Sequence, residues 1–283
     1  MKEPQPKSVS FCIPCKNRLS YIKETLPVNL NHNRRDEVET EFVLVDFASE
    51  DGLSDWVIEN CRVELDSGYL KLLYTRAMPG FHMSLAKNTA HAFASGKILT
   101  SLDADNFTGP RGGRYVYQTL KKWDFKAVLH QFSGEWRDGT SGRTSYCREH
   151  FVGVGGYNEQ LEPFGHEELD LIARMRATYS TKVVNGLNTL LQRFYYRKIK
   201  KVKSHPRYNR AIKSPPTGGE TYRDEMQKRN RLRSDQDIAA SRFIANGGAF
   251  GIVEDIEQWT NGSFSPCETL LHERGLQPKS SQV

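Results

Sequence analysis

The sequence predicts an α/β protein built on a mostly parallel sheet with helices on both faces. Two observations carry this expectation. Short apolar runs alternate with stretches of helical periodicity through residues 8–102, the order expected of consecutive βαβ units. Acidic residues then follow two of those runs, Asp46 after one and Asp103 and Asp105 after another. In such sheets ligands bind at the carboxyl ends of the strands.

Each element has a local reason. Ser8–Pro14 (SVSFCIP) is a buried-strand run ended by proline. Leu19, Ile22, Leu26 and Leu30 recur at helical spacing, with Pro27 set against the second half of that helix. Glu41–Asp46 (EFVLVD) reads as a strand, Ala48–Gly52 as a turn and Leu53–Cys61 as a helix. Leu70–Tyr74 (LKLLY) is a third strand. Ser84–Ser95 is an alanine-rich helix stopped by Gly96. Lys97–Leu102 is a fourth strand, running into Asp103-Ala104-Asp105-Asn106. Further on, Phe125–Phe132 reads as a strand and Gly134–Gly142 as a polar loop. Glu167–Tyr179 is an amphipathic helix with acids in its first turn, where the helix dipole favours them. Pro206–Gly219 reads as a loop. Thr221–Ala245 is a long helix stopped by Asn246-Gly247-Gly248, and the tail after Arg274 is polar.

Composition excludes several classes. The chain has 283 residues, net charge +6, 37% hydrophobic residues and a mean hydropathy of −0.63, which is ordinary for a globular protein. It contains no run of eighteen apolar residues that would span a membrane. Met1–Ser10 lacks the apolar core of a secretory signal, so a cytoplasmic protein with reduced thiols is expected. Cys12 and Cys15 have CxxC spacing but lie in an apolar strand without a second pair, which favours core packing over zinc.

Two clusters could carry chemistry. Asp103 and Asp105 are hard oxygen ligands at a strand end, suited to Mn²⁺ or Mg²⁺ against a diphosphate; the plain alternative is turn capping. Phe164-Gly-His-Glu-Glu-Leu-Asp170 places three acids at a helix start. Spacing puts Glu167 and Asp170 on one face and Glu168 on another. These acids read either as helix capping or as a general base with a neighbouring acceptor of substrate hydroxyls. Gly153–Tyr157 is glycine-rich but matches no phosphate-loop pattern, and reads as a close backbone approach. Arg193–Lys213 holds nine Lys/Arg and no acid, interleaved with Tyr195, Tyr196 and Tyr208. It could meet phosphates, an anionic membrane surface or nucleic acid, or be a solvated loop. Trp56 and Trp123 read as core. Trp136 is a candidate for stacking on a sugar face. His82, His91, His130 and His150 receive no role.

Taken in order, Phe11–Arg18 (FCIPCKNR), Val43–Gly52 (VLVDFASEDG), Ser84–Asn88 (SLAKN) and Ser101–Asn106 (SLDADN) resemble family-two glycosyltransferases of the GT-A fold. Gly155–Glu159 (GGYNE) followed by Phe164–Leu171 (FGHEELDL) is similar to their acceptor-side motif, above all in the galactosyltransferase-related branch. The resemblance covers about residues 8–205.

The resemblance implies a single GT-A domain over 1–283: a nucleotide-sugar half at 8–106, an acceptor half at 107–205 and a C-terminal elaboration at 206–283. By the same resemblance, Pro14 and Arg18 line the nucleotide, Asp46 contacts uracil or ribose, and Lys87 and Asn88 form the basic-Asn pair before the DxD strand. Asp103 touches ribose or metal, Asp105 is the main metal ligand, and His205 completes the metal site. Glu168 stands at the catalytic base and Glu167 at the acceptor-binding acid. Three positions depart from the pattern. Phe47 replaces a second acid, Glu168 lengthens the commoner Asp by one methylene, and His166 replaces a glycine. The function implied is inverting, metal-dependent transfer of a hexose or N-acetylhexosamine from a UDP-sugar to a glycan or other hydroxyl, as in polysaccharide biosynthesis. The basic stretch at 193–213 would then close over the diphosphate or touch the inner face of a membrane. Two rivals are weighed. A nucleotidyltransferase would need a glycine-rich loop after the first strand, which Cys15–Arg18 lacks. A degenerate nucleic-acid-binding module is disfavoured by intact Asp103, Asp105 and Glu168.

Overall fold

The computed structural model describes residues 8–34, 37–78, 80–131, 141–185 and 220–267. These form strands β1 (Val9–Cys15), β2 (Thr40–Asp46), β3 (Leu70–Tyr74), β4 (Ile98–Ser101), β5 (Ala127–His130), β6 (Thr144–Cys147), β7 (Lys182–Asn185), β8 (Glu257–Thr260) and β9 (Ser263–Pro266). The helices are α1 (Leu19–Asn33), α2 (Leu53–Asn60), α3 (Arg62–Asp66), α4 (Met83–Ala92), α5 (Gly112–Lys121), α6 (Arg148–Gly153), α7 (Glu167–Tyr179) and α8 (Glu220–Ala239).

All nine strands join one sheet in the order β7-β5-β6-β4-β1-β2-β3-β8-β9. Its centre, β4-β1-β2-β3, is parallel, and it is flanked by antiparallel β6 on one side and by β8 and β9 on the other. β7 returns parallel to β5. The central strands are buried on both faces, which is why they read as unbroken apolar runs. Val9, Phe11, Ile13, Phe42 and Leu44 pack to one side with residues of α1, α2 and α5. Cys12, Val43, Val45 and Phe47 pack to the other with residues of α4, α6 and α7. The sheet is thus covered by helices on both faces.

Several boundaries differ from expectation. α1 continues through Pro27, because Lys23 and Pro27 both lie on its exposed face, where the unmade hydrogen bond meets water. α4 stops at Ala92 instead of running to Ser95. Residues 93–97 turn instead, and Arg148 donates to the carbonyls of Ala94 and Gly96. α8 ends at Ala239, short of Ala245, whose N–H is drawn to the Val154 carbonyl at 3.0 Å. Trp123 is not core: it is 40% exposed, with the Lys182 ammonium 4.5 Å from its ring. Cys12 and Cys15 are buried core residues, and all five cysteines are free. Most of the Gly134–Gly142 loop with Trp136, the 193–213 stretch with His205, the Pro206–Gly219 loop and the C-terminal tail lie outside the described residues. No helix among the described residues is long and apolar enough to cross a membrane.

Candidate active site

The site forms where the parallel centre of the sheet ends. The loops after β1 and β2 are laced together. Asn17 N–H donates to Ser49 Oγ (2.9 Å), Glu50 N–H to Asn17 Oδ1 (2.8 Å) and Leu19 N–H to Asp51 Oδ2 (2.8 Å). Pro14 is buried within β1, and Arg18 stands half-buried at the start of α1, donating to the Asn17 carbonyl at 3.1 Å. Asp46 is 1% exposed, and both of its carboxylate oxygens are engaged. One accepts the Ser49 N–H at 2.8 Å, the other the Ser54 hydroxyl at 2.5 Å. Asp46 therefore shapes the turn after β2. Phe47 is fully buried in the core behind it.

The loop after β4 is stitched to α1. Thr25 donates to the Ala104 carbonyl (2.7 Å) and Asn29 to the Asn106 carbonyl (2.9 Å). Asn106 Nδ2 donates to Asp105 Oδ1 at 2.7 Å, while its own oxygen accepts from Arg143. Asp103 lies over Gly142, where a Cβ would come within 2.7 Å of its Oδ2. Asp103 and Asp105 are both half-buried at the carboxyl end of β4. Two hard carboxylates on one turn, beside a backbone surface without side chain, fit a divalent cation whose other ligands come from a diphosphate and water. Among the described residues no third His, Cys, Asp or Glu joins them.

Opposite stands the start of α7. Gly165 and His166 have φ of +94° and +70°, a left-handed entry that turns the first helical residues inward. Glu167 and Glu168 are 5% and 9% exposed. Spacing alone separates their faces. In the structure both meet one group, the Lys87 ammonium from α4, which pairs with Glu168 and lies 3.5 Å from Glu167 Oε1. Two long side chains in a first turn can converge on a flexible lysine where two short ones could not. Burial pushes the Glu168 carboxyl up, the Glu167 charge adds to this, and the Lys87 ammonium opposes both. Glu167 Oε2 is buried without a hydrogen-bond partner among the described residues.

The other half of the basic-Asn pair is spent on structure. Asn88 is fully buried, donates to Tyr157 O (2.8 Å) and Glu159 Oε1 (2.9 Å), and accepts the Tyr157 N–H (2.8 Å). It pins the glycine-rich segment against α4. Arg174 pins the same segment from α7: it bonds Asp170 and donates to the carbonyls of Val154 (2.7 Å) and Gly156 (2.8 Å).

Sequence reasoning did not single out Arg174, though its spacing of four from Asp170 was visible. It also missed Asn230 and Asn246, whose side chains bond backbone groups of residues 155–165. No local signal marks either. His91, given no role, is buried and held neutral, its proton affinity lowered by burial to about 3. It contacts the Lys87 carbonyl (2.6 Å) and the Tyr146 hydroxyl (2.9 Å).

A parallel-centred sheet, with acids gathered at the end of β4 and across from it at the start of a helix, defines a GT-A type glycosyltransferase. The model of the family described as glycosyl transferase family 2 matches residues 10–167, and the chain belongs to that family. Two solved structures of S. aureus TarS share the fold at low identity. S. aureus TarS 1-349 in complex with UDP matches at 16% identity and a TM-score of 0.51, over 81% of this chain and 72% of that one. The same protein in complex with UDP-GlcNAc matches at 17% identity and 0.51, over 63% of this chain and 56% of that one. The mannosyltransferase PcManGT from Pyrobaculum calidifontis, in complex with GDP-Man and Mn²⁺, matches at 17% identity and 0.49, over 85% and 79%. No match to a curated protein sequence was found.

Proposed function

We propose that this glycosyltransferase is inverting and metal-dependent, and that it moves a hexose or N-acetylhexosamine from a UDP-sugar to a hydroxyl of a glycan or other acceptor. The observation that carries this reading is the pair of acids at the start of α7: Glu167 and Glu168 are both buried and both meet the Lys87 ammonium. A general base needs a carboxylate held ready for the proton of the acceptor hydroxyl. Glu168 takes the proton of the acceptor hydroxyl as that oxygen bonds to the anomeric carbon, and the diphosphate leaves with its electron pair from the opposite face. One displacement inverts the centre. Glu167 Oε2, without a hydrogen-bond partner among the described residues, would accept a second acceptor hydroxyl.

Asp103 and Asp105 would hold the cation, with His205 a further donor outside the described residues. A bound Mn²⁺ or Mg²⁺ would neutralise charge on the leaving diphosphate. UDP as the nucleotide is supported by the shared fold with TarS, solved with UDP and with UDP-GlcNAc. Arg18 and Pro14 line the nucleotide in this reading, and Asp46 acts by fixing the loop over it. The nine cations of 193–213 suit a diphosphate or an anionic surface.

Thermal unfolding with UDP, GDP, CMP and dTDP, each with and without Mn²⁺, tests the donor assignment. UDP at a hundredfold its dissociation constant should add about 2.7 kcal/mol of stability, and only when Mn²⁺ is present. Asp105→Ala should lose that shift. Glu168→Gln should keep it, while UDP release from the active UDP-sugar falls by about 10²–10⁴. A shift with GDP alone would reassign the donor. No shift with any nucleotide, or undiminished turnover in Glu168→Gln, would refute the reading.

A further inference from the structure

Lys87 is a buried cation that the reaction scheme above leaves unused. It is 1% exposed. Its ammonium meets Glu168, lies 3.5 Å from Glu167 Oε1 and stands 5.4 Å from the centre of the Tyr157 ring. Its backbone is fixed as well. The His91 ring holds its carbonyl at 2.6 Å, and the adjacent Asn88 makes three bonds to residues 157 and 159. α4 therefore cannot easily turn to deliver Lys87 to a ligand at the open edge of the sheet.

The charges around it explain its position. Glu167 and Glu168 face it from α7, and Asp103 lies close enough to act on it electrostatically. Tyr157 faces it from the loop and His91 from its own helix, both uncharged at neutral pH. Two adjacent buried carboxylates cannot both ionise without a counter-charge. If Lys87 turned toward a phosphate, it would abandon both glutamates.

We propose that Lys87 is a positioning residue for transfer: it is the fixed counter-ion that keeps Glu168 ionised and aimed at the acceptor, and it is not a ligand of the donor's phosphates. This rests on the reading of Glu168 as the base. It reassigns the residue that the family resemblance would place at the nucleotide. Glu168 receives the acceptor proton while Lys87 stays charged throughout, so the pair passes from net neutral to net positive as the diphosphate departs. Glu167 remains to balance it.

A thermal-unfolding cycle of wild type, Lys87→Met, Glu168→Gln and the double variant tests the pairing without any substrate. Lys87→Met should lower the unfolding temperature strongly, and adding Glu168→Gln should recover much of that loss, since one uncompensated charge is removed. Lys87→Arg should unfold nearer to wild type than Lys87→Met. Calorimetric titration of Lys87→Met with UDP and Mn²⁺ supplies the second arm. Affinity within about threefold of wild type is expected, whereas loss of a charged phosphate contact would cost about tenfold or more. With the active UDP-sugar, kcat should fall and the donor KM stay level.

Additive effects in the cycle, or a tenfold loss of UDP affinity, would overturn the proposal. If Lys87→Met does not fold, folding of the double variant supports it, and failure of both overturns it. Should wild type bind no UDP, the donor reading fails while the unfolding cycle still decides the pairing. Should Glu168→Gln keep full turnover, the base assignment fails, and this role for Lys87 falls with it even if the cycle shows coupling.

Discussion

Arg174→Met is the perturbation whose cost the structure defines best. Arg174 and Asp170 are 1% and 0% exposed and share one turn of α7, with Arg174 Nη2 2.7 Å from Asp170 Oδ2. The same guanidinium satisfies the carbonyls of Val154 and Gly156. Methionine fills most of the volume but leaves Asp170 as a buried charge, and its other oxygen already has no hydrogen-bond partner among the described residues. Breaking a buried pair from one side costs about 3–5 kcal/mol. Two orphaned carbonyls would add about 1–3 kcal/mol each if nothing moved to satisfy them, and adjustment of the neighbouring half-buried residues 152–153 lowers that cost. A net loss of about 4 kcal/mol is expected, a large part of the whole stability of a typical domain. Urea unfolding at pH 7, with reversibility checked, measures it. Adding Asp170→Asn should return part of the loss, since the stranded charge is its main source. A loss under about 1 kcal/mol, or no recovery in the double variant, would show that the pair does not hold the glycine-rich segment to α7.

Two further predictions concern the same scaffold. Burial alone would raise Glu41, but the Lys71 ammonium and hydrogen bonds from Lys71, Ser10 and the Ser95 N–H outweigh it and bring it from 4.5 down to about 2. Its folded value is depressed, so its stabilisation is present above pH 4.5 and fades as pH falls toward 2. The gap is worth about 3 kcal/mol in full. The stability difference between wild type and Glu41→Gln should therefore shrink from pH 6 to pH 3, and parallel acid-unfolding curves would contradict this. Gly155→Ala should destabilise far more than Gly52→Ala. Both have positive φ, +69° and +80°, but a Cβ at 155 would meet the Ala245 carbonyl oxygen at 2.1 Å, whereas nothing lies within 4 Å at 52. Chemical denaturation should find about 1 kcal/mol at 52 and several times that at 155; equal losses would refute the close contact.

The parallel centre of the fold was legible because its signals are local. β1, β2 and β3 are buried on both faces and read as apolar runs, and α7 carries its acids in the first turn. The flanks were not legible in the same way. β6 (TSYC) is four residues with three hydroxyls, and it becomes a strand only by pairing with β4 and β5. The β8–β9 hairpin had a signal that went unused: Asn261-Gly262, whose φ values of 52° and 96° are those a tight hairpin turn demands. α5 begins with two glycines and no acid in its first turn, which hides its start.

The candidate site divides along the same line. Motif order named Asp46, Asp103 and Asp105 at strand ends, Lys87 and Asn88 on a helix, and Glu167 and Glu168 at a helix start, and the structure has those elements at those positions. It could not say which polar atoms the fold would consume. Asp46 gives both oxygens to Ser49 and Ser54, and Asn88 gives its amide to the 157–159 backbone and Glu159. Those bonds depend on where other segments pack, over separations of up to 71 residues for Asn88. The acids at the start of α7 fare differently: one keeps an oxygen without a partner among the described residues, and the other meets a lysine from 81 residues away. Chemistry needs polar atoms that folding has not already used. By that criterion Glu167 and Glu168 are the groups we propose as reactive, while the polar atoms of Asp46 and Asn88 hold neighbouring backbone in place.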